Sequence, residues 1–427
     1  MKRLNRIAFS VVCCVFASQA VWAQATIDTA KVHQLNEVVV KGVRAAKEAP
    51  YAVANIKKSE LQQFSRTGKE LPFLLSRTPG ILAWGENGLG TGTSYMRIRG
   101  AAGSRINVTL DGVALNSPED QTVFWANMNS YAALLGSVQI QRGVGSSTNG
   151  DGAFGGSISM ATAFPSFIPT AEVTGSFGSF NTYNTGVSFS TGLLGKHLIF
   201  DGAYHETATD GYIDGTSGRS GSYYGGLTWL ADNFKVSYKN IGNFEKTGQA
   251  WNGVLASDYE TNFTLMSDGI YTYKDMDAAG LGKFNILTAG LVRNGKGDYT
   301  IVPYTMRDGS LWNKTTDNFY QNHNILSAAW TPNDHWSHNF AVHYTYGYGY
   351  YNEFKSQSKF ANFGLTFYDA DGNFVKRSDF VRKKGLTQHT YGIVYNTNYK
   401  DEHWDVNGGL NLQQFRGNHW GYLTYIA

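Results

Sequence analysis

From about residue 170 onward, apolar residues alternate with small or polar ones over long runs. Phe340, Val342, Tyr344, Tyr346, Tyr348 and Tyr350 alternate with Asn339, Ala341, His343, Thr345, Gly347 and Gly349. Phe234, Val236 and Tyr238 alternate with Lys235, Ser237 and Lys239, and Trp404, Val406, Leu410 and Leu412 with Asp405, Asn407, Gly409 and Asn411. Period two puts successive side chains on opposite faces of a strand. The runs predict strands near 171–180, 182–192, 197–206, 223–230, 234–243, 318–330, 337–350, 387–398 and 404–414. From the second strand on, short links alternate with long ones at 207–222, 244–317 and 351–386. In an antiparallel meander all short turns then lie at one end and all long loops at the other. Strands of about 9–11 residues with aromatic ends, a small or polar second face and one-sided long loops are the pattern of a transmembrane β-barrel. A soluble β-sandwich would show shorter strands and similar connections at both ends.

Residues 36–165 follow a different grammar, that of a compact α+β unit. Lys58 to Leu75 has helical spacing, with Leu61, Phe64, Leu71, Leu74 and Leu75 apolar, and Pro79-Gly80 ends the segment. Val108 to Leu115 reads as two short strands about an Asp111-Gly112 turn. Val138 to Gly143 alternates as a strand. A Gly-rich stretch with Gly150, Gly152, Gly155 and Gly156 then leads into Ser157 to Met160.

The first residues add a compartment. Lys2, Arg3 and Arg6 precede a mostly apolar run from Ile7 to Ala20, with small residues near Ala23 and Ala25, so 1–23 reads as a signal peptide and 24–35 as a short extension. Both cysteines, Cys13 and Cys14, fall inside that leader, which excludes disulfides and Cys metal sites from the mature chain. The formal charge is +3, and the three basic residues of the leader account for it, leaving Lys+Arg 33 against Asp+Glu 33. A neutral mature chain argues against nucleic-acid binding. Charged residues at 16%, aromatics at 14% and 49 Gly against 8 Pro fit strands and tight turns rather than disorder or a charged helical bundle.

The ordered motifs in 36–165 resemble the TonB-dependent outer-membrane receptors, siderophore- and vitamin-type. Glu37-Val38-Val39-Val40 resembles the TonB box. Leu74 to Ile81 with Pro79-Gly80, Arg97-Ile98-Arg99-Gly100, Leu110-Asp111-Gly112-Val113, and Val138 to Gly143 continuing to Gly155-Gly156-Ser157-Ile158 follow in the order of the family's plug. Phe177 to Phe180 looks like the family's barrel start. The resemblance implies an α+β plug domain, residues 36–165 with the TonB box, followed by an antiparallel transmembrane β-barrel from 166 to 427, partial at about 9–10 of 22 strands. On this reading the chain is a C-terminally truncated fragment that would not insert stably by itself, because open strand edges are costly in hydrocarbon.

The resemblance further implies a bacterial outer-membrane transporter and not an enzyme, with no cofactor and no metal site. The expected function is TonB-dependent active import of a scarce large ligand: a ferric siderophore, haem or a cobalamin-like molecule. A glycan-importing relative and a passive plugged porin are the alternatives. The expected partners are the periplasmic TonB energy-coupling protein, outer-membrane lipid and the extracellular ligand. Glu37 to Val40 would bind TonB by strand addition. Arg97, Arg99 and Arg142 are candidates for charge-assisted bonds to acidic residues of the barrel wall. Pro79, Gly80, Gly100, Asp111, Gly112, Gly143, Gly155 and Gly156 would serve plug turns. Trp84, Tyr95, Phe124, Trp125, Trp251 and Asn252 are ligand-contact candidates, although such aromatics read equally well as loop-packing core. Gly88, Gly90 and Gly92 would allow loop mobility.

Other motifs are set aside. Gly88-Leu89-Gly90-Thr91-Gly92 lacks the βαβ unit of a dinucleotide site. Asp369 to Asn373 begins like a calcium loop, but Phe374 and Phe380 stand where Gly and Glu belong, so a hairpin tip is expected there and at Met306 to Ser310. The ten His residues have no metal-ligand spacing.

Overall fold

The computed structural model describes residues 44–45, 51–144, 153–251, 280–293 and 299–427. Glu37 to Val40, Asn252, Gly150, Gly152 and the leader lie outside the described residues.

The first part contains β1 (Ala52–Lys57), α1 (Lys58–Ser65), α2 (Leu71–Leu75), β2 (Ile81–Gly85), β3 (Ser94–Ile98), β4 (Ile106–Leu110), β5 (Val113–Ala114), α3 (Tyr131–Leu134), β6 (Leu135–Arg142) and β7 (Gly156–Thr162). Five of the strands form one sheet in the order β1-β6-β7-β4-β5, with β4 and β7 parallel, and β2 pairs β3 as a separate hairpin. Alternation explains the packing. Val108, Leu110, Val138, Ile140, Ile158 and Met160 point into a core shared with Leu61, Phe64, Leu74 and Leu75 of the helices. Burying each such side chain contributes about 1.5–3 kcal/mol. The residues between them, Asn107, Thr109, Ser137, Gln139, Gln141, Ser157 and Ser159, form a polar second face.

The helix expected from Lys58 to Leu75 is two helices. Gly68 adopts φ 68, and Thr67 N bonds back to Phe64 O at 2.9 Å, closing α1. The chain restarts at α2 with Pro72 in its first turn, where a missing N–H costs nothing.

The second part is a nine-stranded antiparallel meander: β8 (Pro169–Phe177), β9 (Tyr183–Thr191), β10 (Leu198–Thr209), β11 (Gly218–Leu230), β12 (Phe234–Gly248), then, past a ribbon of β13 (Ala289–Arg293) and β14 (Tyr299–Pro303), β15 (Thr316–Trp330) and β16 (Trp336–Lys359). A small hairpin of β17 (Phe367–Tyr368) and β18 (Phe374–Val375) precedes β19 (Arg377–Lys400) and β20 (Asp405–Ile426). All nine strands read from the alternation are present, each paired to the next of the nine, and the sheet is open, with β8 and β20 as its outer strands. Short turns lie at one end. The long connections lie at the other, together with the tight turn at 178–182. Both expected hairpin tips form. Asp369 Oδ1 accepts from Asp371 N and Asn373 N, and Met306 N donates to Ser310 O.

Strands β16 and β19 run further than the alternation indicates, pairing from Trp336↔Tyr399 out to Lys359↔Arg377. Backbone bonds extend a ladder whatever the side chains. Here the buried carboxylate of Glu353 bridges Arg382 of the neighbouring strand and Lys355 at 2.8 Å. The two faces of β16 differ as its sequence requires. Phe340, Val342, Tyr344 and Tyr348 are 40–43% exposed, whereas Ala341, His343 and Thr345 are 2–7% exposed. The aromatic face is the lipid-facing kind. No helix among the described residues is long and apolar enough to cross a membrane.

Candidate functional site

The first part packs against the small, polar face of the wall. Ile241 of β12 joins the plug core, and Val113 at the tip of the β4–β5 hairpin packs with Ile325, Ala341 and Val394. That hairpin turns at Asp111 and Gly112, with φ 50 and 84, the double positive-φ geometry that favours Asp-Gly. The turn aims the Asp111 carboxylate at the wall. Its Oδ2 lies 2.6 Å from Lys239 Nζ of β12, and the carboxylate also accepts from Thr162 N at 3.0 Å and Thr162 Oγ1 at 2.9 Å. Lys239 in turn donates to Thr162 Oγ1. Burial alone would raise the Asp111 carboxyl, but the Lys239 charge and hydrogen bond, with those of Thr162, hold it below its ordinary value.

The Asp111–Lys239 pair thus ties the plug to the wall, whereas the candidate arginines bond within the plug. Arg97 Nη1 donates to Gly100 O at 3.1 Å and Arg142 Nη1 to Pro79 O at 2.7 Å, both within the plug. Arg99 sits on a turn, with φ 48, and its N–H donates to Gly80 O. Among the described residues, Asp111–Lys239 and Arg66–Glu172 at 3.8 Å are ion pairs between plug and wall, and His419 Nε2 lies 3.0 Å from Glu119 Oε1. The arginines instead gather the predicted turn residues. Pro79, Gly80, Gly100, Gly143 and Gly155 converge through Arg99 N→Gly80 O, Gly143 N→Gly155 O and Gly155 N→Arg105 O. Gly156 pairs with Arg142 and packs on Gln141 O. Sequence reading placed these residues in the plug but could not tell which of its charges faces the wall.

At the long-loop end, the β2–β3 hairpin presents Trp84 and Tyr95 as a cross-strand pair, rings 5.5 Å apart and stacked, each about 40% exposed. Arg97 lies over Trp84, with 6.0 Å to the ring centroid. Tyr95 Oη donates to Glu86 Oε1 at 2.6 Å, and Glu86 Oε2 accepts from Ala250 N at 3.1 Å. Thr93 Oγ1 and Trp251 Nε1 both donate to Gln249 Oε1. The structure thereby joins the hairpin to the wall segment carrying Trp251, whose ring meets Tyr351 edge-on at 5.0 Å. Burial raises both the Glu86 carboxyl and the Tyr95 phenol, and the Glu86 contact raises the phenol further.

Two apical expectations are corrected. Phe124 is 58% exposed, but Trp125 is 4% exposed and belongs to the plug core, so it offers no ligand surface. The glycines at 88, 90 and 92 do not mark a loose loop. Asn87 Oδ1 accepts from Leu89 N and Gly90 N, Asn87 O accepts from Tyr212 N, and Gly90, at φ 82, abuts the Phe73 ring where a Cβ would stand 2.9 Å from it. Glycine is there for backbone conformation and close approach.

Sequence reading passed over Glu70. It is 1% exposed beneath this loop, with its N–H on Gly90 O and its carboxyl accepting from Asn129 Nδ2 at 2.8 Å. Burial pushes it from 4.5 to about 8, against the bonds from Asn129 and the Gly92 backbone. A lone Glu before Leu71-Pro72 carries no signal of this in the sequence. No cluster of His, Cys, Asp and Glu suited to a metal occurs among the described residues.

Comparison with known proteins agrees with this architecture. Residues 45–157 match the model of the TonB-dependent receptor plug domain. A search of the curated proteins finds no match to the sequence. Among solved structures, the chain resembles the ferric preacinetobactin receptor of Acinetobacter baumannii, with TM-score 0.59 and 13% identity, over 89% of this chain and 49% of that one. It also resembles the closed form of the ferric-catecholate import receptor of E. coli K12, with TM-score 0.58 and 13% identity, over 88% and 48%. A P. aeruginosa receptor solved with a bound pyoverdine–iron complex gives TM-score 0.56 and 11% identity, over 88% and 43%. The chain thus spans about half the length of the solved structures it matches. A plug-domain match over residues 45–157 and the receptor fold over the strands that follow are what this chain shares with the TonB-dependent outer-membrane receptors.

Proposed function

We propose that the chain is the plug and the first wall strands of a receptor that imports an iron–siderophore complex across the outer membrane, driven by TonB. The observation that carries this is the plug seated on the inward face of the wall through Asp111 and Lys239. Cargo cannot pass a seated plug, so uptake requires work on it, and the outer membrane has no nucleotide supply. Glu37 to Val40, just upstream of the described residues, is the proposed attachment point, an extended β-prone segment suited to strand addition. The separate five-stranded sheet supports treating 36–165 as the unit that is moved and 166–427 as the wall.

Cargo binding is assigned to the long-loop end. Trp84, Tyr95, Phe124 and Trp251 offer flat amphipathic surface there, with Arg97 beside Trp84 for an anionic complex. The matched solved structures named for ferric preacinetobactin and ferric-catecholate favour iron chelates over haem or a cobalamin. The test is uptake of a panel of radiolabelled ferric siderophores by cells carrying the full-length receptor, with and without TonB. TonB-dependent accumulation of a chelate supports the reading. Uptake indifferent to TonB overturns it.

A further inference from the structure

We propose that Arg44 is the point at which a pull on the N-terminal segment enters the plug. Its guanidinium ties β6 to β7. Nη1 donates to Ser137 Oγ at 2.9 Å and Nη2 to Ser137 O at 3.1 Å, while Nε donates to Ser159 Oγ at 3.3 Å and Nη2 to Ser159 O at 2.8 Å. The next residue adds a two-way bond to Gln139: Ala45 N donates to Oε1 at 2.7 Å, and Gln139 Nε2 donates to Ala45 O at 3.2 Å. Two consecutive residues thus make six hydrogen bonds to neighbouring strands inside a five-stranded sheet. The side chains they grip share the polar face of that sheet, opposite the apolar core, and Arg44 feels the charge of Asp111 there.

The placement decides what a pull does. Without the clasp, the first described strand downstream is β1, an outer strand bonded to β6 alone over six residue pairs. Pulling its end peels one strand and leaves the rest of the sheet seated. With the clasp, load enters β6 and β7 together. β7 ends at Thr162, which shares Asp111 with Lys239 of the wall. The pull is therefore delivered to the strand that carries the lock. Arg is the residue for this task, because its planar fork reaches four acceptors at once where a Lys ammonium is a point charge.

The identity of the puller rests on the proposed TonB coupling, but the clasp itself is tested separately. The full-length receptor in bilayers is stretched from a handle at Asn36 (N36C) by force spectroscopy. Arg44→Ala is expected to lower the first rupture force by about two-thirds, as two of the six bonds survive, and to add a separate early event for β1. Gln139→Ala and Arg44→Lys should fall between it and the parent. Binding of the isolated periplasmic TonB domain should be the same for all four proteins. Unchanged first rupture in Arg44→Ala overturns the clasp. If Arg44→Ala does not reach the membrane, parent-like rupture in both other variants overturns it. Absence of TonB binding to the parent overturns the import reading and leaves the rupture comparison intact.

Discussion

Lys239 and Asp111 stand 128 residues apart in the chain, yet the ammonium of one lies 2.6 Å from the carboxylate of the other across the plug–wall interface. Side-chain exposure is 13% for the lysine and 6% for the aspartate, so neither charge is well hydrated. A buried pair is costly to assemble and more costly to break on one side. That asymmetry suits a fastening that must hold and then release.

Replacing Lys239 alone should therefore loosen the plug strongly. Lys239→Met leaves Asp111 and Thr162 bonded to each other but strips the carboxylate of its counter-charge, at a cost of about 3–5 kcal/mol. Adding Asp111→Asn should restore much of that loss, since Asn keeps the left-handed turn and carries no charge. Limited proteolysis of the plug in detergent-solubilised receptor measures both. Equal sensitivity of the single and double variants would refute the coupling.

Acidity and alkalinity should act on two different plug carboxyls. Asp111 titrates below its ordinary value, so its contribution is present above the unfolded value and disappears as pH falls through the folded one. Glu70 behaves oppositely. It is held neutral up to about 8 in the folded plug and ionises near 4.5 when unfolded, so its contribution is complete below 4.5 and is lost as pH rises through 8. Plug stability, followed by hydrogen exchange, should fall between pH 4.5 and 8, and Glu70→Gln should flatten that decline. An unaltered slope in the variant counts against a neutral Glu70.

Neighbouring aromatics should separate by function. Trp84→Ala removes one half of the exposed stacked pair with Tyr95 and should weaken ferric-siderophore binding about tenfold, with little change in stability. Trp125→Ala empties a core position and should cost about 3–5 kcal/mol of plug stability, with ligand affinity preserved in the folded fraction. Titration by tryptophan fluorescence alongside thermal melts distinguishes them. The assignment fails if the two substitutions affect binding equally.

Deleting Glu37 to Val40 from the full-length receptor should abolish uptake while surface ligand binding stays nearly intact. Val39→Pro should act alike, because it removes a backbone donor, and Val39→Thr should be mild. Surface abundance, ligand binding and uptake are measured in the same cells. Reduced surface abundance would instead make this segment part of the plug's folded core.

Alternation and turn chemistry alone determined much of this protein. A period of two depends only on local backbone geometry, so Phe340 to Tyr350 announced both a strand and its apolar face, and all nine wall strands were legible. Asp111-Gly112 announced a tight turn for the same local reason. What lay beyond was set by distant contacts. Strand ends followed the partner's ladder rather than the apolar pattern, carrying β16 to Lys359. Phe124 and Trp125 are adjacent and chemically alike, and only the packing of the plug core made one a surface and the other a filler. Composition records that cations exist and not which surface they face, so the bonds of Arg97 and Arg142 to carbonyls of the plug were not legible in it. The pairing of Asp111 with Lys239 arose only when a turn in one sheet met an inward-facing position in another, a relation between two folded units that no local pattern encodes.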